Sequence, residues 1–72
     1  MRKTATHELR IVYATEDGSQ FIEWIPCASE RSARMTLARR RRQYHKVLHV
    51  RIEELPAEPV TASSTVMLRA PA

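Results

Sequence analysis

The stretch SERSARMTLARRRRQY, residues 29–44, reads as a single helix lying between two strand-rich segments. Ser29 is a suitable N-cap, because its hydroxyl can accept from an amide of the first turn. Glu30 follows where negative charge suits the helix dipole, and Arg39, Arg40, Arg41 and Arg42 crowd the opposite end, where cations suit it. Ala, Arg, Met and Leu between them are strong helix formers. Ala33, Leu37 and Tyr44 recur at helical spacing and form a narrow inward stripe. Arg40 and Arg41 flank it, and Arg31, Met35, Ala38 and Arg42 point the other way. No glycine marks the C-terminus of this helix.

Upstream, Leu9, Ile11 and Tyr13 alternate with Arg10, Val12 and Ala14, a strand pattern. Asp17-Gly18 is a strong hairpin signal, and Gly18 is the only glycine in the chain. Gln20 to Ile25 makes a second strand, ended by Pro26. A two-residue loop predicts pairs Tyr13–Ile22 and Ile11–Trp24. That register places Leu9, Ile11, Tyr13, Ile22 and Trp24 on the core face. Arg10, Val12, Ala14, Phe21, Glu23 and Ile25 are then expected on the other face.

Downstream, Lys46 to Glu54 alternates again. Leu48, Val50 and Ile52 are expected on the core face; Val47, His49, Arg51 and Glu53 on the other. The expected fold is α+β: a two-layer ββαβ unit over residues 1–55. A three-stranded antiparallel sheet of order 2-1-3 packs on one helix. The alternative order 1-2-3 requires a right-handed crossover. Residues 56–72 are rich in Pro, Ala, Ser and Thr, and are expected to form a flexible tail. Within it, TVMLR at 65–69 could supply a short edge strand to this chain or to a partner.

With 72 residues the chain holds one domain at most, near the lower size for folding alone. Cys27 is the sole cysteine, so no internal disulfide can form, and a reducing cytoplasm is the expected setting. The first 15 residues carry no apolar run that would read as a secretory signal, and no stretch has the length of a membrane span.

The net charge of +4 is unevenly placed. Residues 29–46 carry +6 and the remainder −2. Six arginines (Arg31, Arg34, Arg39, Arg40, Arg41 and Arg42), with Lys46 beyond them, ring the helix rather than line one side. That arrangement suits phosphate contact more than base readout. A merely solvated helix face is the plain alternative. A second candidate surface is the sheet face expected to carry Phe21, Ile25, Val47, His49 and Arg51, part apolar and part charged, as interfaces are.

Catalysis finds little support. His45 and His49 are four apart across a helix–strand boundary, and no Cys/His pairing with zinc spacing is present, so no metal or cofactor is expected. Cys27 precedes the helix N-terminus, but no base or oxyanion hole is evident beside it, and it reads as an inert core thiol.

A strand ending in EWIP (Glu23 to Pro26), an Ala/Arg helix and an HVRIE strand (His49 to Glu53) follow one another over residues 8–55. In style and architecture this resembles the small accessory proteins of phages and other mobile elements, anti-CRISPR inhibitors among them. The resemblance implies action without catalysis, by docking on a nucleic-acid-guided effector complex. Many such inhibitors are acidic DNA mimics; a basic chain would have to use protein grooves or the guide backbone. No functional residue is carried over. The expectation is a small non-enzymatic protein that docks on a nucleoprotein or protein machine. Direct, largely non-specific nucleic-acid binding is the second reading and a structural homodimer the third.

Overall fold

A computed structural model describes residues 5–55 and 64–71. Strand β1 (His7–Ala14), strand β2 (Gln20–Cys27), helix α1 (Glu30–Gln43), strand β3 (Lys46–Glu54) and strand β4 (Ser64–Arg69) follow in chain order. All strand pairs are antiparallel and the sheet order is β3-β1-β2-β4. The inner order 2-1-3 is the expected one. The sheet has four strands rather than three, because the segment at 65–69, an optional edge strand within the expected tail, adds β4 beside β2.

The hairpin between β1 and β2 has a three-residue loop, not a two-residue one. The Gly18 N–H donates to the Thr15 carbonyl (3.0 Å), and the Thr15 N–H donates to the Ser19 carbonyl (2.9 Å). Gly18 takes φ +90°, so the loop is a turn followed by a left-handed residue, the usual three-residue hairpin. Asp17 fastens it by accepting from the Ser19 N–H (2.9 Å) and the Thr15 hydroxyl. These bonds hold the Asp17 carboxyl below its ordinary range. Among the described residues, a Cβ at position 18 would meet only Pro71, at an ordinary 3.9 Å. Gly18→Ala is therefore expected to cost about 1–2 kcal/mol, from backbone conformation alone. Urea melts of the two proteins check this.

The extra loop residue slips the register by one. Tyr13 pairs with Phe21, Ile11 with Glu23 and Leu9 with Ile25. Every β2 side chain thus stands on the face opposite to the one expected. Phe21 and Ile25 join the helix side, and Ile25 is buried in the core. Ile22 and Trp24 move to the open side with Val12 and Arg10. Both β2 faces carry two large apolar groups, so hydrophobic pattern could not choose between them; the turn chose.

A bulge corrects β3 in the same way. Val12 pairs with His49 and Tyr13 with Val47, which leaves Leu48 unpaired and 41% exposed. Val47 packs with Val50 and Ile52 toward the core, while His49 and Arg51 lie on the open face. The expected surface of Phe21, Ile25, Val47, His49 and Arg51 is therefore split between the two sides of the sheet.

Helix α1 packs on β1, β2 and β3. The Ser29 hydroxyl accepts from the Ser32 N–H (3.0 Å), and Tyr44 leaves the helix in an extended conformation with its N–H on the Arg40 carbonyl (2.9 Å). That cap lets the chain turn into β3 without a glycine. Leu9, Ile11, Ile25, Cys27 and Ala33 are the buried centre, with Tyr13, Leu37 and Tyr44 packed around it. Ala33 is wholly buried, and its small side chain lets the helix lie close to the sheet.

Candidate docking surface: the arginine face of the helix

Packing decides which arginines are free. Ala33, Leu37 and Tyr44 turn one stripe of the helix to the sheet, so the opposite stripe is Arg31, Met35, Ala38 and Arg42, all exposed. Arg34 and Arg41 border this ridge on one side and Arg39 on the other. Arg34 forms an exposed pair with Glu30 at 3.0 Å. Such an i,i+4 pair is worth only about 0.3–0.5 kcal/mol, so Arg34 is easily recruited by a stronger anion. Arg31, Arg39, Arg41 and Arg42 have no carboxylate partner among the described residues.

Arg40 behaves differently from its neighbours. It lies on the inward side, with its Nε 3.9 Å from the Glu23 carboxylate. Glu23 is nearly enclosed; it also accepts a hydrogen bond from the Tyr44 hydroxyl and another from the Thr65 hydroxyl at 3.4 Å. Arg40 is thus a structural residue that ties the last turn of the helix to β2, and it leaves the candidate site. Glu23 in the core was not foreseen. The slip that turns Trp24 outward turns Glu23 inward, and Tyr44 and Arg40 then compensate its burial.

Beside this contact, Tyr13 stacks on Tyr44 (ring centroids 3.9 Å, 10° between planes) and on Phe21 (5.5 Å, 19°). An open depression of about 600 Å³ lies over the stack, with Met67 and Asp17 on its rim. Burial, then the bond to Glu23, pushes the Tyr44 phenol well above its ordinary range. The unfolded chain releases that proton first, near pH 10. The stability tied to it is therefore complete below pH 10 and falls as pH rises beyond it. Thermal melts between pH 8 and pH 11 should show this alkaline decline, and Tyr44→Phe should flatten it.

On the flank of the helix, Ser32, Met35 and Thr36 floor a shallow niche of about 390 Å³ between Arg31 and Arg39. The Thr36 hydroxyl is engaged with the Ser32 carbonyl at 2.9 Å, so the two guanidinium groups are the niche's charged lining. At the far end of the helix, Lys46 opens β3 and stands in one cross-strand row with Ala14, Gln20 and Arg69. Arg69 thereby extends the basic end across the sheet. Sequence reasoning missed it, because residues 65–69 read as an optional edge strand without the β2 neighbour that places Arg69.

No family model, curated protein or solved structure matches this chain.

The open sheet face is less strongly charged. Arg10 lies 3.9 Å from Glu8, and Arg51 bonds Glu53 at 2.6 Å, so its cations are largely balanced locally. Burial raises the Cys27 thiol above its ordinary range, which leaves it a poor nucleophile. Among the described residues, no three of His, Cys, Asp and Glu come together. No helix among the described residues is long and apolar enough to cross a membrane.

Proposed function

We propose that this protein is a non-enzymatic binding module that docks its arginine-faced helix on the phosphate backbone of a nucleoprotein assembly. The observation that carries the reading is the set of four exposed guanidinium groups at Arg31, Arg39, Arg41 and Arg42, without a carboxylate partner among the described residues, on a capped helix. Guanidinium forks match phosphate oxygens bidentately and hold their charge at any physiological pH. Their spread around the outer helix surface favours contact with a phosphate array over entry into one groove, so affinity comes without sequence preference. Arg34 enlarges the surface, while Lys46, in the row of Ala14 and Gln20, adds positive charge at the same end of the molecule from the open side of the sheet.

A protein of this kind acts by occupancy. The likeness to phage accessory proteins fits such a role, with inhibition of a bacterial defence complex as its outcome. Capture from a bacterial lysate, with and without nuclease, tests the reading. The expected result is capture that is lost after nuclease and eluted by moderate salt. Capture that persists after nuclease would move the target to an acidic protein surface.

A further inference from the structure

We propose that the depression over the Tyr13–Tyr44–Phe21 stack is a receptor for an arginine side chain presented by a partner protein. This site is separate from the arginine face and opposite to it in charge. Its floor is apolar and flat. Tyr13, Phe21 and Met67 stand in one cross-strand row on the helix side of the sheet, and Tyr44 stacks on Tyr13 from the end of the helix. The helix packs on β1, β2 and β3 but makes no close approach to β4 among the described residues, so the β4 end of this row is uncovered. Tyr13, Phe21 and Tyr44 are each only half-buried, and Met67 is 54% exposed. A flat group laid on these rings would remove from water the apolar surface that the helix leaves there.

The charge of the lining selects the occupant. Among the described lining residues, Glu16 and Asp17 are carboxylates, and none is a lysine or an arginine. Neither carboxylate has an ion-pair partner among the described residues. The hydrogen bonds that Asp17 accepts from Thr15 and Ser19 both end on Oδ1. Gln43, Tyr44 and His45 bring the C-terminus of the helix to the same place. There the Arg41, Arg42 and Gln43 carbonyls receive no backbone N–H among the described residues, and they form the negative end of the helix dipole. Arg40 is engaged with Glu23, and Arg41 and Arg42 do not line the depression. A cation is therefore favoured twice: the ring faces attract its charge and the carboxylates accept its hydrogen bonds. Arginine fits better than lysine, because a planar guanidinium stacks on a ring while its edge forks to a carboxylate. An unpaired nucleobase can also stack on such rings, but its phosphates would meet Glu16, Asp17 and the negative helix end. The depression is open rather than enclosed, which suits a side chain projecting from another protein's surface.

NMR titration of the full chain at physiological salt tests this with an end-blocked triarginine peptide, the same peptide carrying neutral citrulline in place of arginine, and a thymidine dinucleotide. The expected result is saturable shifts of the Tyr13, Phe21 and Tyr44 ring signals and of the Met67 methyl signal, with the arginine peptide alone. Glu16→Lys changes an exposed loop residue, so its spectrum should remain that of the folded protein while the peptide binds several-fold more weakly. Signals that stay unmoved by the arginine peptide through the millimolar range overturn the proposal. Equal shifts from the citrulline peptide overturn it by removing the part played by charge. Shifts from the dinucleotide alone overturn it by making the depression a base site. Undiminished binding to Glu16→Lys does so by seating the peptide elsewhere. None of these outcomes depends on what the arginine face binds.

Discussion

Ile11→Ala should be among the most damaging single substitutions in this protein, costing about 2–5 kcal/mol of stability. Ile11 is wholly buried on β1, the strand flanked by β2 and β3, with the helix packed above it. Domains of this size have little stability to spare, so the variant should be partly unfolded at room temperature. Trp24→Ala makes the informative comparison. Trp24 pairs with Arg10 on the uncovered side of the sheet and keeps part of its surface in water, so its truncation should cost clearly less. Urea titrations of both variants measure the difference. If Trp24→Ala proved the more costly, Trp24 would lie beneath the helix and the three-residue loop would be wrong.

The second large effect concerns binding. Joint replacement of Arg39, Arg41 and Arg42 by Glu should abolish measurable association with nucleic acid while leaving the fold intact. All three side chains are exposed and none forms an ion pair among the described residues, so no native contact is lost. With four phosphates neutralised, the wild-type log–log salt slope on duplex DNA should be about −3 to −4. Removal of three contacts leaves Arg31 and a slope near −1 at best, before the added repulsion is counted. Reversal of Arg40 is not an equivalent test. It would leave Glu23 beside a second negative charge, and loss of binding could then reflect a damaged fold.

Much of this architecture was legible in local chemistry. Ser29, Glu30 and the terminal arginines bounded the helix, and the alternation around Leu9, Gln20–Ile25 and Lys46–Glu54 located three strands. The faces of β2 were not legible, because Phe21 and Ile25 compete with Ile22 and Trp24 on nearly equal terms. Gly18 settled the matter: its positive φ falls at the third loop position, and one residue of slip reverses the whole strand. Leu48 was misplaced for a similar reason, since alternation does not reveal a bulge. β4 is short and lies far in sequence from its partner β2. Its pairing is set by an exposed edge rather than by its composition.

The candidate site was legible as charge but not as geometry. Counting arginines gives six on the helix; only packing shows that Arg40 is held by Glu23 and that Arg34 is paired. The inward Glu23 could be found only after the register was known. Arg69 joined the basic end only once β4 was placed beside β2.

The role proposed for the exposed arginines is phosphate docking. Fluorescence anisotropy of labelled duplex DNA, single-stranded DNA and RNA, titrated with the wild-type protein at low and at physiological salt, tests it most directly. The predicted result is binding to all three at low salt, with little sequence preference and a steep loss of affinity at the higher salt. Failure to bind any of the three at low salt would contradict it.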